Sequence, residues 1–169
     1  MKIVKISLFA IVLMCTFAFS QAMTQDVDYH SSWVLDKAKS TIEGNMSEWL
    51  VGMELVVSIT GDNLKLECTY QTNDNNFTDV IELTLGGEAK IRDMLQGRGK
   101  ATSQAQWDEP QKSVKMHTDA TFEGDNGTFK FTTDDHFSLS EDEQNLILKR
   151  KSESERGLTN STFIFKKKV

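Results

Sequence analysis

Proline, cysteine and histidine are scarce in this chain, and each scarcity removes a class of reading. The single proline, Pro110, leaves almost the whole chain free to form uninterrupted main-chain ladders. The two cysteines are Cys15 and Cys68. Cys15 lies in an apolar N-terminal run, so a chain cut after that run keeps one thiol and no internal disulfide; packing alone must hold it together. Cys68 falls on the apolar face of its segment, the setting of a buried inert thiol. No histidine belongs to an H-E-x-x-H pair, no serine stands in a nucleophile elbow, and no glycine loop is shaped to cradle phosphate. Basic residues are the minority, 19 against 25 acidic, for a net charge of −6. Such a chain has no general attraction to nucleic acid or anionic lipid. The one long apolar run, Ile6 to Phe19, falls short of the roughly 20 residues of a membrane-spanning helix.

That run has the form of an export signal. Lys2 and Lys5 make a positive start, Ile6 to Phe19 the apolar stretch, and Ser20-Gln21-Ala22 a small-residue cleavage site. Met14 before Cys15 is too large for lipoprotein processing. The expected division is a signal peptide at 1–22, a flexible polar segment at 23–31 and one domain at 32–169, exported to a bacterial periplasm or the extracellular space. Asn45, Asn76, Asn126 and Asn160 stand in N-x-S/T sequons. They are glycosylation sites only in a eukaryotic host, and the short lysine-rich signal has a bacterial character.

What the rest contains is alternation. Met53 to Ile59 and Leu64 to Tyr70 alternate apolar and polar residues around Thr60-Gly61-Asp62-Asn63. This is the mark of an antiparallel hairpin with one wet and one buried face. Ser32–Leu35, Phe77–Leu85, Lys100–Trp107, Ser113–Glu123, Thr128–Leu139, Asn145–Lys151 and Leu158–Lys166 read as further strands, with turns between them. Residues 88–99 are ambiguous; a strand Glu88–Ile91 and a loop through Gly97-Arg98-Gly99 are expected. Ile42, Met46, Trp49 and Leu50 fall at helical spacing, predicting one short helix near residues 41–50. The fold class is therefore all-β: a single antiparallel meander β-barrel of about eight to ten strands whose closure removes its edges.

Antiparallel partners keep a constant sum of residue numbers, so each turn fixes a register. The expected partners include Ile59 with Leu64, Ala120 with Phe131, Thr118 with Thr133, Met116 with Asp135 and Phe137 with Leu148. They also include Asp135 with Arg150, Leu148 with Phe163 and Arg150 with Ser161. One apolar face then crosses four strands, interrupted by Asp135, Arg150, Thr118, Thr133 and Ser161. An ion pair Asp135–Arg150 inside the barrel is tolerable where a lone charge is not. It reads either as the polar end of a ligand cavity or, at a bulge or strand end, as a pair facing water.

Ser31-Ser32-Trp33-Val34-Leu35, the hairpin Ile59-Thr60-Gly61-Asp62-Asn63-Leu64-Lys65-Leu66 and the closing strand Thr162-Phe163-Ile164-Phe165-Lys166-Lys167 together resemble the calycin group, the lipocalins and fatty-acid-binding proteins. The resemblance covers most of residues 31–168 and implies a lipocalin-like barrel that holds an apolar ligand under a helical lid. The chain departs from the group in two places. Ser31 stands where lipocalins carry the glycine of G-x-W. Phe163 and Phe165 stand where fatty-acid-binding proteins carry the inward Arg-x-Tyr that grips a carboxylate. The remaining inward arginine is Arg150.

Other constellations are weaker. His117, Asp134 and His136 share an outer hairpin face, a donor set suited to a transition metal, but Lys115, Lys149 and Lys151 share it too, as on an ordinary solvated face. Lys166-Lys167-Lys168 suits an acidic lipid surface or simply keeps an edge soluble. No catalytic residue, metal or cofactor is expected. The leading expectation is a monomeric binder of a small apolar or amphipathic ligand, its wall including Tyr70, Met116, Phe131, Phe137, Leu148, Phe163 and Phe165, with Arg150 and Asp135 as polar contacts. The alternatives are an interaction module whose barrel is filled by its own side chains and, more remotely, a cavity enzyme of cyclase or isomerase type.

Overall fold

The structure, a computed structural model, describes residues 28–94, 97–124 and 127–168. The expected signal peptide at 1–22 and the sequon at Asn126 lie outside the described residues. Ten antiparallel strands follow one another: β1 (Ser31–Leu35), β2 (Leu50–Thr60), β3 (Asn63–Thr72), β4 (Asn76–Thr84), β5 (Lys90–Met94), β6 (Gly99–Asp108), β7 (Ser113–Gly124), β8 (Gly127–Leu139), β9 (Asn145–Ser154) and β10 (Gly157–Lys167). Each pairs with its chain neighbour except β4 with β5, and one further ladder joins the first strand to the last. β1 joins β10 through Trp33–Lys167, Val34–Lys166 and Leu35–Phe165, which brings the sheet round on itself. β4 and β5 are the two ends of the strand order, and no ladder joins them among the described residues. The ring is thus nearly closed, with one seam.

The registers are those the sequence dictates. Ile59 faces Leu64, Ala120 faces Phe131, Asp135 faces Arg150 and Leu148 faces Phe163. Gly61, at φ +57°, supplies the left-handed residue that the two-residue loop between β2 and β3 demands. Pro110 sits in a single 3-10 turn between β6 and β7, where a missing N–H breaks no ladder.

Three expectations need correction. The short helix expected near residues 41–50 is present, but its extent is one turn, Met46–Trp49 (α1). Thr41 instead exchanges two main-chain hydrogen bonds with Thr162, and the Ser161 hydroxyl accepts from the Glu43 N–H. Gly44 then turns the chain at φ +72°, which a helix interior does not allow. Second, the stretch expected to be flexible is held from Tyr29 onward. Tyr29 is buried, and its hydroxyl donates to the main-chain oxygens of Lys112 and Phe137. Burial of a large aromatic with a satisfied hydroxyl outweighs the polarity of its neighbours. Third, the strand after β4 is Lys90–Met94, not Glu88–Ile91. It shows the reverse of the usual pattern: Ile91 faces solvent and Arg92 faces inward.

The core divides the barrel into two ends. Tyr29, Trp33, Leu50, Leu55, Leu66, Phe137, Leu146, Leu148, Phe163 and Phe165 belong to one packed cluster. Towards α1 the interior opens.

Candidate functional site

A stripe of polar side chains crosses the interior of the open end. Ser103 of β6 and Thr118 of β7 hydrogen-bond to each other at 2.9 Å, both buried. Thr133 and Asp135 of β8 follow, then Arg150 of β9 and Ser161 of β10. These positions alternate with outward residues along regular strands, so the pleat alone delivers them to one face.

Asp135 and Arg150 form the expected internal pair. Arg150 Nε and Nη2 each donate to one carboxylate oxygen of Asp135 at 2.7 Å. This two-pronged geometry is the strongest an arginine–carboxylate pair offers. Asp135 is 2% exposed, so the reading of this pair as facing water at a rim does not hold. Burial pulls the Arg150 pKa down, but the charge and hydrogen bonds of Asp135 outweigh it and the net direction is up. The guanidinium also lies 5.8 Å from the Phe163 ring centroid.

A second ion pair was not expected. Arg92 Nη1 of β5 reaches both carboxylate oxygens of Asp79 on β4 at 2.8 Å, across the seam. The Arg92 Nε–H is buried with no hydrogen-bond partner among the described residues. Asp79 was legible as inward, since it alternates in step with Phe77, Ile81 and Leu83 on β4. Arg92 was not, because Ile91 beside it invites the opposite assignment. The one available signal was the pairing of Arg92 with Ala101, whose neighbours on β6 bury every second residue.

Both pairs line a single internal cavity of about 200 Å³, together with Met46, Trp49, Tyr70, Phe77, Ile81, Met94, Met116, Thr118, Ala120, Phe131 and Thr133. Tyr70 stacks on Phe77 at 4.9 Å between centroids. Burial pushes the Tyr70 hydroxyl pKa up and the Cys68 thiol up to about 12, so both stay protonated at neutral pH. Beyond the cavity lies a wider mouth of about 700 Å³ that shares Met46, Trp49, Phe131, Thr133 and Arg150 with it. Two further arginines rim the mouth, Arg98 with its charge 5.4 Å from the Phe122 ring and Arg156 4.6 Å from Phe129.

Of the residues named from the sequence, Arg150, Asp135, Tyr70, Met116 and Phe131 line the cavity. Phe163 lines the mouth. Phe137, Leu148 and Phe165 sit in the packed cluster and line neither space. The outer-face group comes together only in part. His117 Nδ1 lies 2.7 Å from Asp134, while His136 turns to the Ser113 hydroxyl. Among the described residues, no group of three or more His, Cys, Asp or Glu side chains is placed to hold a metal ion. At the closing strand, Lys166 pairs with Asp36, Lys168 with Glu54, and the Lys167 ammonium lies over Trp33.

No family model matches the chain, and no curated protein matches it in sequence. The architecture does match a solved structure. The crystal structure of zebrafish ileal bile acid-binding protein complexed with cholic acid superposes with a TM-score of 0.54, at 10% identity. The match covers 83% of this chain and 98% of that one. The fold is a calycin-like barrel. That neighbour is a bile acid-binding protein. No helix among the described residues is long and apolar enough to cross a membrane.

Proposed function

We propose that this chain binds a small amphipathic molecule inside its barrel. The observation that carries the reading is the unfilled interior at the α1 end: a cavity walled by Tyr70, Phe77, Met116 and Phe131, opening through a mouth of about 700 Å³. That volume lies within the range of small-molecule sites, and the mix of apolar wall and few fixed polar groups is characteristic of them. A barrel of this size that served only as a scaffold would be packed through, as it is around Trp33 and Leu146. The zebrafish barrel, complexed with cholic acid, supports the reading in kind, not in the identity of the guest. Among the described residues the cavity lining holds no cysteine, serine or histidine.

The direct test is native mass spectrometry of protein purified from its own host, with a parallel titration of the neutral hydrocarbon dye diphenylhexatriene. A copurifying small mass, or saturable dye fluorescence that Ala120→Phe abolishes while the fold is kept, is the expected result. Ala120 lines the cavity opposite Phe131, so a phenyl ring there fills it. A protein that carries no guest and binds no dye is instead an interaction module.

The same proposal includes export, through the segment Lys2 to Ala22. Amino-terminal sequencing of the protein from host periplasm or medium is expected to begin at Met23, and an intact Met1 in the cytosol would overturn it.

A further inference from the structure

The four arginines of the chain all converge on the open end of the barrel. Arg92 and Arg150 line the cavity; Arg98, Arg150 and Arg156 line the mouth. Arginine, more than lysine, suits the gripping of oxyanions, because its planar fork donates parallel hydrogen bonds. The two arginine ion pairs among the described residues are Arg92–Asp79 and Arg150–Asp135, which leaves Arg98 and Arg156 without a carboxylate partner there.

Each of these two lies over a phenyl ring instead, Arg98 5.4 Å from Phe122 and Arg156 4.6 Å from Phe129. The rings stack on each other at 6.5 Å between centroids. A ring face supports the plane of a guanidinium and leaves the N–H groups at its edge free to donate. One arginine arrives from the turn between β5 and β6, the other from the turn between β9 and β10, and the phenyl pair on β7 and β8 holds both at one mouth. Ser152 and Ser154 of β9 and Thr159 of β10 add hydroxyl groups to the same lining, Ser152 directly opposite Thr159. Among the described residues the mouth has a single carboxylate, Glu43, which accepts the Asn160 N–H.

The two spaces divide a guest between them. The cavity of about 200 Å³ is smaller than the roughly 300–1,000 Å³ of small-molecule sites, so a guest that fills it extends into the mouth. Charge inside the cavity is already matched, and an extra charge buried there is costly. The charged end therefore stays outside, and the apolar part enters against Tyr70, Phe77 and Met116.

We propose that the mouth is a phosphate seat and that the guest is a phosphate monoester of an apolar alcohol. Near neutral pH such a group carries a charge of about −1.5 to −2 and presents three acceptor oxygens. That matches two uncommitted guanidinium groups beside a row of hydroxyls. A carboxylate brings one charge and two oxygens in one plane, and leaves part of the seat unused. The inference rests on the binding reading above.

The test displaces diphenylhexatriene with dodecyl phosphate, dodecanoate and dodecanol, three probes of one chain length, and adds inorganic phosphate as a competitor. Dodecyl phosphate is expected to bind at least about tenfold more tightly than dodecanoate near neutral pH. Arg98→Gln and Arg156→Gln are each expected to weaken it by about tenfold and to leave dodecanol within about twofold. Both arginines are exposed, so unchanged dodecanol binding also shows that the variants keep the fold. Dodecanoate or dodecanol binding as tightly as dodecyl phosphate, or dodecyl phosphate affinity unchanged in either variant, overturns the inference while the binding reading stands. Inorganic phosphate that blocks dodecyl phosphate at equal concentration overturns it as well, since the chain then adds nothing. Failure of the dye and of every probe removes the binding reading itself.

Discussion

Asp79 and Arg92 are joined side chain to side chain across the one place where the ring of strands has no ladder, each carboxylate oxygen 2.8 Å from Arg92 Nη1. Elsewhere round the barrel neighbouring strands are tied by rows of main-chain hydrogen bonds. Here the isolated Leu85–Ala105 bridge at one end and this ion pair do the joining.

Cutting that link is expected to loosen the seam. In Asp79→Ala, amide hydrogen exchange of β4 and β5 should quicken while β9 and β10 keep their protection. The substitution should also cost about 1–3 kcal/mol, since both partners are mostly but not fully buried. Exchange at β4 and β5 equal to that of the parent protein would show that the pair holds nothing.

The Asp135–Arg150 pair should behave differently. Arg150→Met leaves a carboxylate sealed in the interior and is expected to destabilise by about 3–5 kcal/mol. Adding Asp135→Leu removes the stranded charge and should recover a large part of the loss. Urea denaturation of the two single variants, the double variant and the parent gives the coupling energy directly. Coupling near zero would mean that the two side chains do not depend on each other.

Two histidines of neighbouring strands should bend the pH dependence of stability in opposite senses. The hydrogen bond that the His117 ring donates to Asp134, with Asp119 nearby, raises the His117 pKa above its ordinary 6.5. Its contribution is whole below that value and fades as pH rises through the raised one. Burial, with Lys115 and Lys149 close by, lowers the His136 pKa. Its contribution is whole above 6.5 and fades as pH falls through the lowered value. Stability is therefore expected to be greatest around pH 6.5. His117→Gln should flatten the alkaline limb and His136→Gln the acid limb of a plot of urea midpoint against pH. A parent midpoint flat across that range would count against both assignments.

Cys68 should be silent in the folded protein. It is buried, and its thiol is pushed up to about 12. In a Cys15→Ser background, a thiol-reactive disulfide reagent is expected to label no cysteine in native buffer and one in guanidinium chloride. Rapid native labelling would show that the interior near Asp79 is open to water.

Most of the barrel was legible because period-2 alternation and turn position leave little freedom. Once Gly61-Asp62 is taken as a loop, Leu55 must meet Cys68; once Leu139 and Leu146 face each other, Asp135 must meet Arg150. What resisted was the strand β5. Its five residues carry Ile91 outward and Arg92 inward, and it pairs on one side only, so neither apolar pattern nor register from two neighbours was there to place it. The helix was overestimated for a related reason. Ile42, Met46 and Trp49 do share a packed face, but Gly44 and the main-chain pairing of Thr41 with Thr162 break the segment into a bridge and a single turn. Of the wall, parity identified what points inward but not how deep it lies. Phe137 and Phe163 have the same parity and both pack in the core, yet of the two only Phe163 also lines the mouth.

The joining of β1 to β10 has a consequence for how the molecule comes into being. Trp33 and Lys167 are far apart in sequence, and their ladder is what turns a long curved sheet into a ring. The hairpins from β2 onward need only local contacts and can form as the chain emerges. Ring closure waits for the last strand to be made, and contacts so distant in sequence are the slow ones. Until then β1 has its β2 side alone to hold it, and Trp33 has no roof. Trp33 burial is therefore expected to be the last event of folding, later than the assembly of the strands that build the cavity.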